Sequence, residues 1–346
     1  MTSRGAPPLL PRRSLLVGAA AVAATGVGAF ACTRNAVQPD ESGLVRLRFA
    51  LDGPAGVMHG GFYQAVASQA YARRGLNVQI IQGADGVNVA QQLANGAVEL
   101  GLGLDSYTAL NLVAEGAPVK AVAAYFQKDP HALVAHPGPA LDTPADLRGQ
   151  PILVPDADRD TVWAWLKARY GLTDAQARRD TGDLKAFTDD PRAVILGGLL
   201  TTPARIQAEA DTEPRVMLLA DEGYAAYAGL VLAPDAFARD NARALRAFVA
   251  GSAEGWRDYI RGDGRAADAL IRQVNPAMTQ AHLDQTRTTL RQQGLVDGGD
   301  AALYGLGAMT DERWRDAFEA AARTGFYPQD LDWRRAYTNQ YLPGRG

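Results

Sequence analysis

Thiol and metal chemistry have almost nothing to work with in this chain: its 346 residues hold one cysteine, Cys32, and four histidines, His59, His131, His136 and His282, none at metal-ligand spacing. That leaves no support for a disulfide framework, a zinc site or a Cys/His nucleophile pair. A net positive charge is lacking too. The formal net charge is −3, and no basic run with interleaved aromatics follows the N-terminus, which argues against a nucleic-acid partner. Internal repeats are absent, and the N-terminal apolar run is the one low-complexity tract. What remains, 47% hydrophobic and 21% charged residues, is the composition of a globular protein long enough for two domains with a sizeable core.

The N-terminus reads as an address. Arg12-Arg13-Ser14-Leu15-Leu16 precedes an Ala/Gly-rich apolar run to Ala31, the order of a charged segment followed by the hydrophobic segment of an export signal, here of twin-arginine type. The run is short and poor in large apolar residues for a membrane span. Ala29-Phe30-Ala31-Cys32 suits cleavage before Cys32 by a lipoprotein or an ordinary signal peptidase. Lipidation would make Cys32 a membrane anchor. Residues 1–31 are then the signal and 32–43 a polar tether.

From Val45 the pattern alternates. Residues 45–51 form a strand, Asp52 to Met58 a Gly/Pro loop, and His59-Gly60-Gly61-Phe62-Tyr63 opens a helix expected to run to Arg73-Arg74-Gly75. Free amides at that helix start, with two glycines allowing close approach, make a candidate binding turn, although glycine at a strand-to-helix turn is also ordinary scaffold. Strands at 76–81, 98–103 and 119–126 alternate with helices at 87–95 and 105–115, which predicts a parallel sheet with helices on both faces. Ligands of such sheets sit beyond the carboxyl ends of the strands, where Asp52–Met58, Gly83–Gly86 and Asp105-Ser106 converge. Asp105 is either a plain N-cap or a pocket carboxylate. A second unit starts near His131, with a buried strand at 151–155, the acidic stretch Asp156-Ala157-Asp158-Arg159-Asp160 and a helix at 161–170. Elements at 192–200, 203–210, 215–220 and 229–232 continue the alternation. Helices at 242–261, 265–274, 280–293 and 311–324 carry the chain to its end.

Five motifs in order resemble one family. They are His59-x-Gly61-x-Tyr63 before Arg74-Gly75-Leu76-x-Val78; Gln91-Gln92-Leu93-Ala94-Asn95-Gly96-x-Val98-Glu99-x-Gly101; Gly116-x-Pro118-Val119-x-Ala121-Val122; Pro144-Ala145-Asp146-Leu147-Arg148-Gly149; and Tyr337-Thr338-Asn339-x-Tyr341-Leu342-Pro343. Over residues 44–343 the chain resembles solute-binding proteins of ABC importers, in the branch for nitrate, sulfonates, taurine and thiamine pyrimidine precursors. The first and last motifs are nearest to binders of formylaminopyrimidine or riboflavin. The resemblance implies an α/β, two-lobed periplasmic-binding-protein fold of type II, each lobe a mostly parallel sheet flanked by helices, with two crossover strands. It places lobe 1 at 44–126 plus 230–346, lobe 2 at 127–229, and the crossings near 126–131 and 224–229. It also implies a monomer that presents a small solute to membrane permease subunits, with no cofactor and no bond made or broken. A pyrimidine-synthase-like enzyme on the same fold is the alternative from another class.

The ligand class is read from the helix starts. Asp156, Asp158 and Asp160, with only Arg159 between them, would repel an anion, although aspartate there also caps helices. Tyr63, Tyr107, Trp163, Tyr224 and Tyr227 lie near expected cleft edges, where flat rings could sandwich a planar heterocycle while aspartates and Gln127 bond its nitrogens. His59, Gly60, Gly61, Tyr63, Asp105, Tyr107, Gln127, Asp156, Asp158, Trp163 and Tyr224 are therefore the expected ligand-binding residues. A pyrimidine thiamine precursor is expected first and a flavin second, ahead of sulfonate, taurine or nitrate.

Overall fold

Alternating apolar residues sort the strands into two separate five-stranded sheets in a computed structural model that describes residues 37–83, 88–138 and 142–344. The arginine pair, the apolar run, Cys32 and residues 84–86 of the glycine loop lie outside the described residues. The strands are β1 (Val45–Ala50), β2 (Leu76–Ile81), β3 (Leu100–Asp105), β4 (Val119–Phe126), β5 (His131–Ala135), β6 (Ile152–Val154), β7 (Ala177–Arg179), β8 (Val194–Gly198), β9 (Arg215–Leu218) and β10 (Ala228–Pro234). Between and after them come α1 (Gly60–Ala67), α2 (Val89–Ala94), α3 (Ser106–Ala114), α4 (Val162–Tyr170), α5 (Lys185–Asp189) and α6 (Thr202–Ala210). The C-terminal helices are α7 (Asp235–Asp240), α8 (Ala242–Arg261), α9 (Arg265–Val274), α10 (Gln280–Gln292), α11 (Gly299–Tyr304) and α12 (Asp311–Arg323). Among the described residues no helix is long and apolar enough to cross a membrane.

The first sheet has the order β2-β1-β3-β10-β4 and the second β7-β6-β8-β5-β9. In each sheet four strands run one way, and the fifth, which arrives from the other sheet, opposes them: β10 is antiparallel to β3 and β4, and β5 to β8 and β9. The chain therefore passes between sheets twice, after Phe126 and after Leu218, as the mostly parallel, two-lobed expectation requires. Both passages leave or enter the sheets at the carboxyl ends of the parallel strands. α1, α3, α4 and α6 all begin at that edge, so helix starts and crossovers gather there.

One face of the first sheet packs Phe49, Phe62, Phe248 and Trp256 against α1 and α8. The other face packs Leu110, Ala124, Leu230 and Trp314, and this second cluster continues through Tyr107, Tyr224 and Trp165 to Leu133 and Val154 of the second sheet. Gly229 has φ of 59° where the second crossover enters β10 beside Phe126, and an L side chain there would be strained.

The expected long first helix is broken. α1 stops at Ala67, Gln69 adopts φ of 61°, and a short 3-10 turn reaches Gly75, whose φ of 79° is the expected left-handed cap. The break turns Tyr71 inward, where its hydroxyl meets Ser252 at 2.7 Å on α8. The strand β7 and the helices α5, α7 and α11 were not foreseen from the sequence.

Candidate functional site

At the crossover edge β3 ends in Leu104-Asp105, and Asp105 caps α3: its Oδ1 accepts from the Thr108 backbone N–H at 3.0 Å and from the Thr108 hydroxyl at 3.2 Å. Leu104 is 46% exposed although the four residues before it are buried. Burial, and then the negative charge of Asp129, push the Asp105 carboxyl up to about 6 against the bonds from Thr108 and the attraction of His131.

Asp129 and His131 sit in and just after the first crossover. Asp129 Oδ1 accepts from the His131 backbone N–H at 2.8 Å and faces His131 Nδ1 at 2.5 Å, while His131 Nε2 lies 3.3 Å from Asp158 Oδ1 of the loop before α4. Burial opposes protonation of His131, but Asp129 and Asp158 outweigh it and hold its pKa well above the ordinary histidine range. The ring is clamped between two carboxylates, one at each nitrogen. It has no free positive face to offer an anion.

Aromatic rings complete the cluster. Tyr224, in the second crossover, lies 6.1 Å from the Tyr107 ring, 6.4 Å from His131 and 5.1 Å from Trp165. Burial raises the pKa of both tyrosines above the usual phenol range, so their hydroxyls stay neutral. Tyr107, Trp165 and Tyr224 also line a hollow of about 270 Å³ between α4, α12 and the second crossover, together with Arg169, Arg323, Asp316 and Glu319. A larger groove of about 940 Å³ is lined by Arg48, Glu99, Val119 and Pro234, at the opposite ends of the first sheet's strands, and is remote from both crossovers.

Four of the expected site residues therefore meet here: Asp105, Tyr107, Asp158 and Tyr224. Sequence reasoning missed Asp129, His131 and Trp165 as members.

The remaining expected residues have these surroundings in the structure. His59 is buried as a staple of the loop after β1, its Nδ1 accepting from the Gly56 N–H at 3.1 Å and its Nε2 donating to Asp52 Oδ1 at 2.9 Å. Gly60 and Gly61 serve helix packing: a Cβ would stand 2.1 Å from the Tyr259 ring at Gly60 and 2.1 Å from the Trp256 ring at Gly61. Tyr63 is buried in the α1–α8 cluster, and that burial pushes its hydroxyl up to about 12. Gln127 spends its amide on backbone, donating to the Ala124 and Ala308 carbonyls at 2.9 and 3.0 Å and accepting from the Ala301 N–H at 3.2 Å. Asp156 is 57% exposed and paired with Arg159 at 3.1 Å and Arg179 at 3.0 Å. Trp163 is a core residue whose Nε1 donates to Asp174 at 2.9 Å. Tyr227 fastens the second crossover: its hydroxyl donates to Asp300 and the Arg313 guanidinium lies 3.9 Å over its ring. Among the described residues no group of histidine, cysteine or carboxylate side chains could hold a metal ion.

Two hinged α/β lobes, each with one reversed strand supplied by the other's connection, are the architecture of periplasmic binding proteins. The periplasmic aliphatic sulphonate binding protein SsuA of Escherichia coli superposes with a TM-score of 0.64 at 14% identity, covering 84% of this chain and 91% of that one. The alkanesulfonate-binding protein SsuA of Xanthomonas axonopodis pv. citri, bound to MOPS, superposes with a TM-score of 0.60 at 14% identity, covering 88% and 99%. Within that architecture the chain belongs to the NMT1/THI5 like family, whose model matches residues 57–264. The riboflavin-binding protein RibY of Chloroflexus aurantiacus is 28% identical over 236 residues, 66% of this chain and 66% of its own length.

Proposed function

We propose that this protein is the extracytoplasmic solute-binding component of an ABC importer and that it captures a small planar heterocycle at the crossover edge. The observation that carries the reading is the cluster of Asp105, Asp129, Asp158, Tyr107 and Tyr224 around a histidine already committed to two carboxylates. Flat rings suit a planar solute, and a site with this balance of charge disfavours an anion. Lobe 1 is taken as residues 44–126 plus 230–346 and lobe 2 as 127–229; solute touching both would favour the closed arrangement, which permease subunits then recognise. No chemistry on the solute is required. Residues 1–31 direct export, Cys32 anchors the mature chain, and the molecule acts as a monomer.

A pyrimidine thiamine precursor is the first solute and a flavin the second, in keeping with the family and with what RibY's name says of that protein. A sulfonate is the second reading, favoured by the SsuA structures. Titration calorimetry against a thiamine-precursor pyrimidine, riboflavin, taurine and an alkanesulfonate decides between them. The account expects micromolar or tighter binding of a pyrimidine or flavin, about −8 kcal/mol or better. Tight binding of an alkanesulfonate with no response to the heterocycles overturns the assignment.

A further inference from the structure

A hollow of about 520 Å³ opens at the amino ends of β6, β7 and β8, the edge of the second sheet opposite the crossovers, and Arg148, Arg178 and Arg192 line it. Its walls are tied to one another. The buried Gln176 donates to the Leu147 and Gln150 carbonyls at 2.7 and 3.0 Å and accepts from the Thr173 N–H at 3.2 Å. The Ile152 and Val194 N–H groups donate in turn to the Gln176 and Pro151 carbonyls at 2.9 and 3.0 Å. Two of the arginines are held by backbone rather than by acids. Arg148 donates through Nε to the Tyr170 carbonyl at 2.9 Å, at the end of α4 where the negative pole of the helix favours a cation. Arg178 donates through Nη1 to the Ala175 and Ala177 carbonyls at 2.8 and 3.1 Å. Among the described residues neither has a carboxylate partner. Arg192 lies 3.6 Å from Asp190, the one carboxylate in the lining. Three positive charges against one negative leave an excess of two around this hollow, in a chain whose formal net charge is −3.

We propose that the hollow is a phosphate-binding site, remote from the solute edge, which takes a phosphate group either free or on the headgroup of an anionic lipid. It goes beyond solute capture and stands whatever the solute is. The backbone bonds fix one edge of the Arg148 and Arg178 forks, and the rest of each exposed guanidinium is open to an outside acceptor. A planar fork matches two phosphate oxygens at once, and guanidinium sheds water more readily than ammonium does. Basic clusters are drawn to anionic lipid surfaces. On a headgroup, this site would set which way the second sheet's lobe turns toward a membrane.

The test uses the mature chain carrying Cys32→Ser, so that no acyl anchor of its own draws it to a membrane. The probes are inorganic phosphate, titrated in the calorimeter at constant ionic strength, and vesicles of phosphatidylcholine with or without phosphatidylglycerol, followed by flotation. The proposal expects saturable binding of phosphate, or binding to the phosphatidylglycerol vesicles and not to phosphatidylcholine alone. Arg148→Gln with Arg178→Gln should weaken either response at least about 10-fold, since each basic residue at an anionic surface contributes about 5-fold. Arg178→Gln with Arg192→Gln is a second inner pair that spares the brace Arg148 gives to α4, and a thermal melt checks that each pair is folded. Arg239→Gln with Arg265→Gln removes the same charge from exposed arginines already paired with Asp240 and Asp263, and should leave both responses within about 2-fold. A phosphate response alone assigns the site to a free phosphate group, and a vesicle response alone to a headgroup; both support it. No response to either probe, or an equal loss in the inner and outer pairs, overturns the site and leaves the solute-binding reading untouched.

Discussion

Replacing Gly61 with alanine separates two explanations of the glycine pair at the start of α1. A Cβ at Gly61 falls 2.1 Å from Cδ2 and 2.2 Å from Cγ of the Trp256 indole, which is itself fully buried among Phe62, Tyr125 and Phe126. Relief must come from shifting α8, and Gly255 cannot yield, because its own Cβ position lies 2.2 Å from the Gly61 carbonyl. Overpacking of this kind costs about 1–3 kcal/mol, occasionally more, while alanine's better helix propensity returns about 1 kcal/mol. The net loss expected is about 0–2 kcal/mol, and at its upper end a fall of several degrees in Tm at about 2–4 °C per kcal/mol. Differential scanning calorimetry measures it, and titration at a temperature where the variant is folded should give a solute affinity within about 2-fold of the unaltered protein. An unchanged Tm with affinity lost would refute the packing account and restore the glycines as the place where a solute meets the backbone.

Two further outcomes follow from the same structure. Asp105 has its folded-state pKa raised to about 6 from 3.8, so the ligand-free fold is favoured by protonation and loses stability as pH rises through that window; Asp105→Asn should raise Tm at pH 7 and leave it nearly unchanged at pH 4, whereas an equal fall at both pH values would contradict the burial argument. The arginine pair and Ala29-Phe30-Ala31-Cys32 predict a mature chain starting at a lipidated Cys32, which intact mass of envelope material checks; a chain starting at Met1 sinks export processing, and an unmodified Cys32 sinks the anchor alone.

Much of the frame was legible because it is written in local pattern. β2, β4, α8 and α9 fall at 76–81, 119–126, 242–261 and 265–274, the ranges their alternation or amphipathic spacing predicts. The break in α1 was not, since a left-handed Gln69 is imposed by docking Tyr71 against Gly251 and Ser252, residues far along the chain. Site residues divide along the same line. Asp105 and Asp158 were visible as carboxylates near helix starts. Asp129 sits in a crossover that has no periodicity and His131 is the first residue of β5, and only folding brings Asp158 to His131. Trp163 and Trp165 are two positions apart on one helix and so face different ways: Trp163 turns to Asp174, and Trp165 turns to Tyr224. For Gly60 and Gly61 the sequence left two readings, and the rings of Tyr259 and Trp256 on α8 supply the packing one.

Small-angle scattering with and without the solute that calorimetry identifies tests the central claim most directly, because solute capture by two hinged lobes requires a change of shape. The account predicts a smaller radius of gyration at saturation together with a raised Tm, the second by mass action on the folded state. Saturating a confirmed solute with no change in either quantity would contradict it.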